Sequence, residues 1–188
     1  MVLVRHGETE WSRAGRHTST TDIGLTDAGR EEARALTPVL ATRTFARVLT
    51  SPRQRAIATA QLAGFADATV DDDLVEWDYG DYEGRTTAEI RADDPGWTVW
   101  SDGAPNGETA AHVAARADRV IARANDAAGD TLLFAHAHFL RVLGARWLGM
   151  QGDAGRYFHL DSGSISLLSA EREQRVLGQW NITPSALL

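Results

Sequence analysis

Leu3-Val4-Arg5-His6-Gly7-Glu8-Thr9, near the start of the chain, is a short apolar run that stops abruptly at Arg-His-Gly. Such a run reads as a strand buried on both faces, the usual state of a strand in a parallel sheet. Where it stops, it delivers a cation and an imidazole to the end of the sheet. Gly7 lets backbone or ligand approach closely there. The pattern returns downstream: residues 46–51, 131–136 and 164–169 read as strands, with weaker segments at 68–70 and 176–180. Helical patterns lie between them. Thr26 reads as an N-cap for a helix from Asp27 to about residue 42. Pro52 reads as the first helical residue of 52–63, with Gly64 as its stop. The apolar spacing of Val113, Ala117, Val120, Ile121 and Ala124 marks a long helix over about 109–127. A further helix is expected over 139–148, closed by Gly149.

Strands alternating with helices predict an α/β fold, a three-layer sandwich with a mostly parallel central sheet and helices on both faces. The chain reads as one domain over residues 1–188. Residues 71–107, rich in Asp, Gly, Trp and Pro, read as an excursion or lid over the active site. Ligands of open α/β sheets sit beyond the carboxyl ends of the strands. Arg5-His6, Ser51-Pro52 and His136 all fall at such ends.

Composition narrows the chemistry. The 188 residues are 43% hydrophobic and 24% charged, which suits a folded globular protein. No apolar run is long enough to span a bilayer, and no signal peptide is visible, so the expected location is the cytoplasm with no membrane partner. The net charge of -7 argues against nucleic acid as a partner. It leaves room for a small anionic substrate held by a few arginines in a cleft. There is no cysteine, which removes thiolate nucleophiles and thiolate metal sites. There is no lysine either, so all 19 basic residues are arginine and neither Schiff-base chemistry nor a lysine-bearing P-loop is available. Oligomeric state is not readable from these features.

Several groups fit an anion site. Arg55 falls at the start of a helix, where free N–H groups and the dipole favour anions; Arg53 and Arg55 read equally well as solvated surface arginines. His136 ends a buried strand in Ala135-His136-Ala137-His138. Two histidines at that spacing suit a metal, but no Asp/His cluster completes the set, so none is expected. Residues 74–84, Leu-Val-Glu-Trp-Asp-Tyr-Gly-Asp-Tyr-Glu-Gly, pack carboxylates among aromatics, which desolvates a carboxylate and raises its pKa. Periodicity does not choose among Glu76, Asp78, Asp81 and Glu83.

Taken together these tracts resemble the histidine phosphatase superfamily, the phosphoglycerate-mutase-like group. The resemblance is carried by Arg5-His6-Gly7-Glu8-Thr9, Leu25-Thr26 with Gly29, Ser51-Pro52 with Arg55-Ala56 and Thr59-Ala60, Glu76 with Gly80, Glu83 and Gly84, Gly107-Glu108-Thr109, and Ala135-His136. It implies that His6 is the nucleophile that carries a phosphoryl group. Arg5, Arg55 and His136 would bind phosphate oxygens, and Glu76 would donate and later accept the proton. Glu83 and Thr109 would be supporting residues. Gly7, Ser12, Thr18, Ser19, Tyr79, Ala137 and His138 fall where relatives contact the substrate or its phosphate. No cofactor is implied. Relatives usually carry glycine where this chain has Ala137, and Glu-Ser where it has Glu108-Thr109.

The resulting expectation is a phosphomonoesterase acting on a small phosphorylated metabolite, sugar phosphate-like, through a phosphohistidine. The alternative is a cofactor-dependent phosphoglycerate mutase, disfavoured because Trp77 stands where such mutases place an arginine. A non-catalytic phosphate-binding protein is a further rival, which would be expected to lack the nucleophile or the acid. Arg13 and Arg16 are candidates for a second phosphate, or simply solvent-facing.

Overall fold

The computed structural model describes residues 1–184. Its frame is one six-stranded sheet built from β1 (Val2–Arg5), β2 (Arg47–Thr50), β3 (Thr69–Val70), β4 (Thr131–Ala135), β5 (Ile165–Glu171) and β6 (Gln174–Ile182). The spatial order is β3-β2-β4-β1-β5-β6. The first four strands in that order run parallel; β5 pairs antiparallel with β1, and β6 antiparallel with β5. The helices are α1 (Glu10–Arg13), α2 (Asp27–Ala35), α3 (Thr37–Leu40), α4 (Gln54–Leu62), α5 (Thr87–Asp93), α6 (Val99–Asp102), α7 (Ala110–Asn125) and α8 (Ala137–Trp147).

Side chains alternate across a strand, so each central strand feeds two cores. Val2, Val4, Leu132 and Phe134 pack with Leu36, Leu40, Ala60 and Ala63 on the face covered by α2–α4. Leu3, Leu133 and Ala135 pack on the other face with Val113, Ala117 and Val120 of α7 and Phe139, Leu140 and Leu143 of α8. The three-layer α/β architecture expected from the sequence is the one observed.

Several boundaries differ from the sequence reading. The helix expected from Asp27 to about residue 42 is interrupted at Leu36, giving α2 and α3. Pro38 has no N–H to give to the preceding turn and its ring crowds that turn's carbonyl, so one continuous helix cannot form. Pro52 lies before α4, not within it: Arg53 is the extended N-cap residue. His136 is the extended N-cap of α8, so Ala137 and His138 sit in its first turn. Helix α1 and helices α5 and α6 were not anticipated. The first is a single turn closed by a reciprocal Thr9–Ser12 cap, and α5 begins with the same device, Thr86–Glu89. Residues 71–107 are not a loose covering. Leu74, Trp77, Tyr79, Ile90, Trp97 and Val99 are buried in the core shared with α7 and α8.

Parallel register explains why distant motifs meet. Arg5 lies opposite Ala135, and Thr50 opposite Phe134. The ladder continues one step past the strands: His6 N–H donates to the Ala135 carbonyl at 3.0 Å, and Ser51 N–H to the Phe134 carbonyl at 2.9 Å. His6, Ser51 and His136 therefore leave three adjacent strands at one edge.

Candidate active site

Backbone packing comes first. A Cβ on Gly7 would lie 2.2 Å from the Gly29 carbonyl oxygen, and one on Gly29 would lie 2.1 Å from the Glu8 carbonyl oxygen. Two glycines thus let the loop after β1 press against α2. Gly7 N–H donates to Thr59 Oγ1 at 3.1 Å. This contact ties the loop to α4.

His6 is buried, with 5% of its surface exposed at the floor of a cavity of about 260 Å³. Its Nδ1 lies 2.7 Å from the Gly7 carbonyl oxygen. A carbonyl only accepts, so Nδ1 carries the proton and Nε2 of the neutral ring holds a lone pair. Burial pushes the His6 pKa well down, and the Arg55 and Arg5 guanidiniums push it further. The ring is neutral at neutral pH.

Around it stand the other groups named from the sequence. Arg5 donates through Nη1 to the Leu160 carbonyl at 2.5 Å. Arg55 is fully buried, with Nη1 on the Thr21 carbonyl and Nη2 on those of Thr18 and Ser19. His136 meets His6 edge-on at 5.1 Å between ring centroids, and its Nε2 lies 2.7 Å from Ser51 Oγ. Arg5 Nε, Arg53 Nε, Arg55 Nε and His136 Nδ1 are buried without a hydrogen-bond partner. Orphaned buried donors are costly, and an anion is the group that would satisfy cationic ones.

Glu76 also lines the cavity and is 5% exposed. Its Oε1 accepts from Trp77 N–H at 2.9 Å and Phe139 N–H at 2.8 Å, and its Oε2 from His138 N–H at 3.1 Å. The carboxylate therefore caps the N-terminus of α8. Burial raises its pKa, against the opposing pull of those three N–H groups and Arg55. Arg116 grips the same stretch from behind, donating to the carbonyls of Asp73, Val75 and Glu76 while paired with Glu108 at 2.7 Å. Among the four carboxylates of residues 74–84, Glu76 alone lines the cavity; Asp78 Oδ1 accepts from Gly80 N–H at 2.9 Å. Glu83 accepts from Ser19 and Thr21 N–H, holding the loop whose carbonyls hold Arg55.

Ser12, Thr18, Tyr79, Ala137 and His138 line the cavity as well. Tyr79 OH lies 2.6 Å from His138 Nδ1. Ala137 is the first residue of α8 and does not have positive φ, so its methyl group costs no backbone strain. Gly7, Ser19, Arg55 and His136 are not part of the lining: Gly7 faces Gly29, Ser19 is 2% exposed beneath the loop, and Arg55 and His136 are fully buried. His136 and His138 turn to different partners, Ser51 and Tyr79. Among the described residues no group of three or more His, Asp or Glu side chains is placed to hold a metal ion.

The lining also includes six residues that the sequence did not single out, Gly15, His17, Thr87, Arg141, His159 and Leu160, of which two carry clear chemistry. His17 packs against Tyr79 at 4.6 Å and burial lowers its pKa to about 4. Arg141 lies on α8. Nothing local marks His17, but Arg141 stands four residues after Ala137, the spacing that shares a helix face.

A neutral histidine with a free Nε2, ringed by arginines and facing a buried carboxyl, agrees with the family profile that matches this chain. The sequence matches the histidine phosphatase superfamily (branch 1) over residues 1–183. The chain belongs to this superfamily. This histidine phosphatase is 40% identical to an acid phosphatase of Mycobacterium tuberculosis, over 97% of this chain and 92% of that one. It is 38% identical to the sedoheptulose 1,7-bisphosphatase of Saccharomyces cerevisiae, over 79% and 67%. A solved structure of a Mycobacterium tuberculosis open reading frame superposes with a TM-score of 0.93 at 40% identity, covering 97% of both chains. The mycobacterial glucosyl-3-phosphoglycerate phosphatase in complex with VO3 gives a TM-score of 0.87 at 29% identity, over 97% of this chain and 98% of that one. The histidine phosphatase described here is a phosphoric monoester hydrolase. Among the described residues no helix is long and apolar enough to cross a membrane.

Proposed function

We propose that this histidine phosphatase hydrolyses a small sugar phosphate-like metabolite in two steps, with His6 Nε2 as nucleophile. The observation that carries the reading is the His6 ring, neutral, with Nδ1–H held by the Gly7 carbonyl and its other nitrogen unprotonated on the cavity floor. In the first step the Nε2 lone pair forms a bond to phosphorus as the ester P–O bond breaks. Protonated Glu76 gives its proton to the departing alkoxide. In the second step water attacks phosphorus, Glu76 carboxylate takes its proton, and the P–N bond breaks to leave neutral His6 and inorganic phosphate. Arg5, Arg55 and His136 stabilise the charge on the equatorial oxygens throughout, which is the protein's main contribution to phosphoryl transfer. Ser12, Thr18, Tyr79 and His138 contact the alcohol portion, where hydroxyl and imidazole groups suit a polyol. Hydrolysis is favoured over a mutase because the relatives named above are phosphatases and Trp77, buried with its Nε1–H on the Glu108 carbonyl, occupies the mutase arginine position. Rapid quench with a labelled phosphomonoester tests the scheme. An acid-labile, base-stable phosphoenzyme is expected in the wild type and none in His6→Ala; a phosphoenzyme persisting in His6→Ala sinks the assignment. Phosphate release is expected without interconversion of 2- and 3-phosphoglycerate.

A further inference from the structure

The cavity is deeper in cations than one phosphate requires. Glu76 is the one carboxylate in its lining, although the chain as a whole carries a net charge of -7. Two guanidiniums besides Arg5 reach it, Arg16 and Arg141. Arg16 is exposed and already matched: Nη1 donates to the Gly84 carbonyl at 2.6 Å and lies 3.7 Å from Glu89. Arg13, the other sequence candidate for a second phosphate, pairs with Glu10 and Glu8 and does not reach the lining.

Arg141 differs from both. It is half-buried on α8, one helical turn beyond Ala137. Nε donates to the Gly155 carbonyl at 3.1 Å and Nη2 to the Arg156 carbonyl at 3.2 Å. The guanidinium lies 4.5 Å over the Trp100 ring. Two carbonyls and an indole fix its plane, yet among the described residues no carboxylate lies within 4.0 Å of it, Glu76 acting on it only from further away, and no hydrogen bond runs from Nη1. A charge immobilised in a cavity wall, with one donor edge left open, is prepared for an anion from solution. His138 and His17, 6.1 Å apart between ring centroids, line the same cavity, and burial lowers the pKa of both, so they add polarity without negative charge.

We propose that Arg141 binds a second anionic group of the substrate, a phosphate or a carboxylate at the end remote from the scissile ester, and so selects for doubly anionic sugar-type phosphates. The assignment rests on the phosphatase reading above but fails separately from it, because a singly anionic ester is hydrolysed whether or not Arg141 takes part.

Matched substrate pairs test it. Fructose 1,6-bisphosphate is compared with fructose 1-phosphate and fructose 6-phosphate, and 3-phosphoglycerate with glycerol 3-phosphate. The first set reads a remote phosphate, the second a remote carboxylate. In at least one set the doubly anionic member is expected to be preferred in kcat/KM by about 10- to 100-fold, chiefly through KM, the range for one charged hydrogen bond. Arg141→Gln is expected to erase that preference while changing kcat/KM for the singly anionic esters less than about threefold. Should Arg141→Gln fail to fold, Arg141→Lys keeps the charge and is expected to retain most of the preference. No preference in the wild type overturns the proposal, as does an equal loss on both members of each pair. Loss of all hydrolysis in the wild type would count against the phosphatase reading instead.

Discussion

At His6 one carbonyl decides which ring nitrogen carries the proton. The Gly7 oxygen, 2.7 Å from Nδ1, holds the tautomer that leaves Nε2 free. The buried Glu76 carboxyl has the complementary bias, since its pKa is raised where that of His6 is lowered. The signs set a pH profile. The first step needs His6 neutral and Glu76 protonated, so its rate falls on the acid side only well below the ordinary histidine pKa. It falls on the alkaline side as Glu76 loses its proton, above the ordinary glutamate value. The optimum of kcat/KM therefore lies between the lowered His6 limb and the raised Glu76 limb, and Glu76→Gln is expected to remove the alkaline limb. The same variant is expected to lower kcat by about 10²–10⁴, the usual cost of losing a general acid. A steady-state pH series on both proteins checks the two statements; an unchanged alkaline limb in Glu76→Gln assigns it to another group. Gly7→Ala is a packing test at the same scale: its Cβ would sit 2.2 Å from the Gly29 oxygen, so thermal unfolding is expected at a clearly lower temperature.

At the scale of elements, the site is a set of chain ends held by caps and latches. Glu76 caps α8, and Glu83 holds the loop at Ser19 and Thr21, whose carbonyls in turn hold Arg55. Glu83 thus positions the Arg55 guanidinium, which the proposed scheme assigns to phosphate, and does not itself line the cavity. Glu83→Ala is expected to cut kcat/KM by about tenfold or more, the cost of losing charged hydrogen bonds. Glu83→Gln, which keeps a carbonyl acceptor, is expected to recover part of it. Equal losses in both variants would mean that the charge, not the latch, matters. Thr109, the N-cap of α7, is structural by the same logic: its hydroxyl accepts from His112 N–H, and Thr109→Ala is expected to cost about 1 kcal/mol in denaturant unfolding with kcat unchanged.

At the scale of the molecule, four imidazoles, three of them buried and His138 half-buried, link stability to pH. Burial holds His6, His136 and His138 well below the ordinary value and His17 at about 4. Unfolded chains take up protons on these rings below about pH 6.5, and the folded protein does not until lower pH. Their stabilising effect is complete above pH 6.5 and drains away as the pH falls towards the folded-state values. For His17 alone the window from 6.5 to about 4 is worth roughly 3 kcal/mol. Urea midpoints are expected to fall steadily between pH 6.5 and 4, before the paired carboxylates Asp73 and Asp161, whose pKa values are lowered, begin to protonate. A flat midpoint down to pH 5 would contradict the buried-imidazole account.

The local signals in this chain reach as far as single elements. The apolar run into Arg5-His6, the buried run 131–135 and the repeat of α7 determined strands, helices and layers, because periodicity and side-chain burial are properties of short stretches. The Thr86-x-x-Glu89 cap of α5 and Pro38 after α2 are local signals as well, although the expected helix ran through Pro38 and none was expected at α5. Motif order was enough to name the family. Only the tertiary structure decided which carboxylate enters the cavity, which arginines there have no paired carboxylate, and which nitrogen of His6 is free. Those choices depend on contacts between Glu76 and α8, Arg55 and the 18–21 loop, and Arg141 and the 155–156 turn. Hydrogen bonds across the gaps between elements select among residues that look alike in sequence, and no local pattern encodes them.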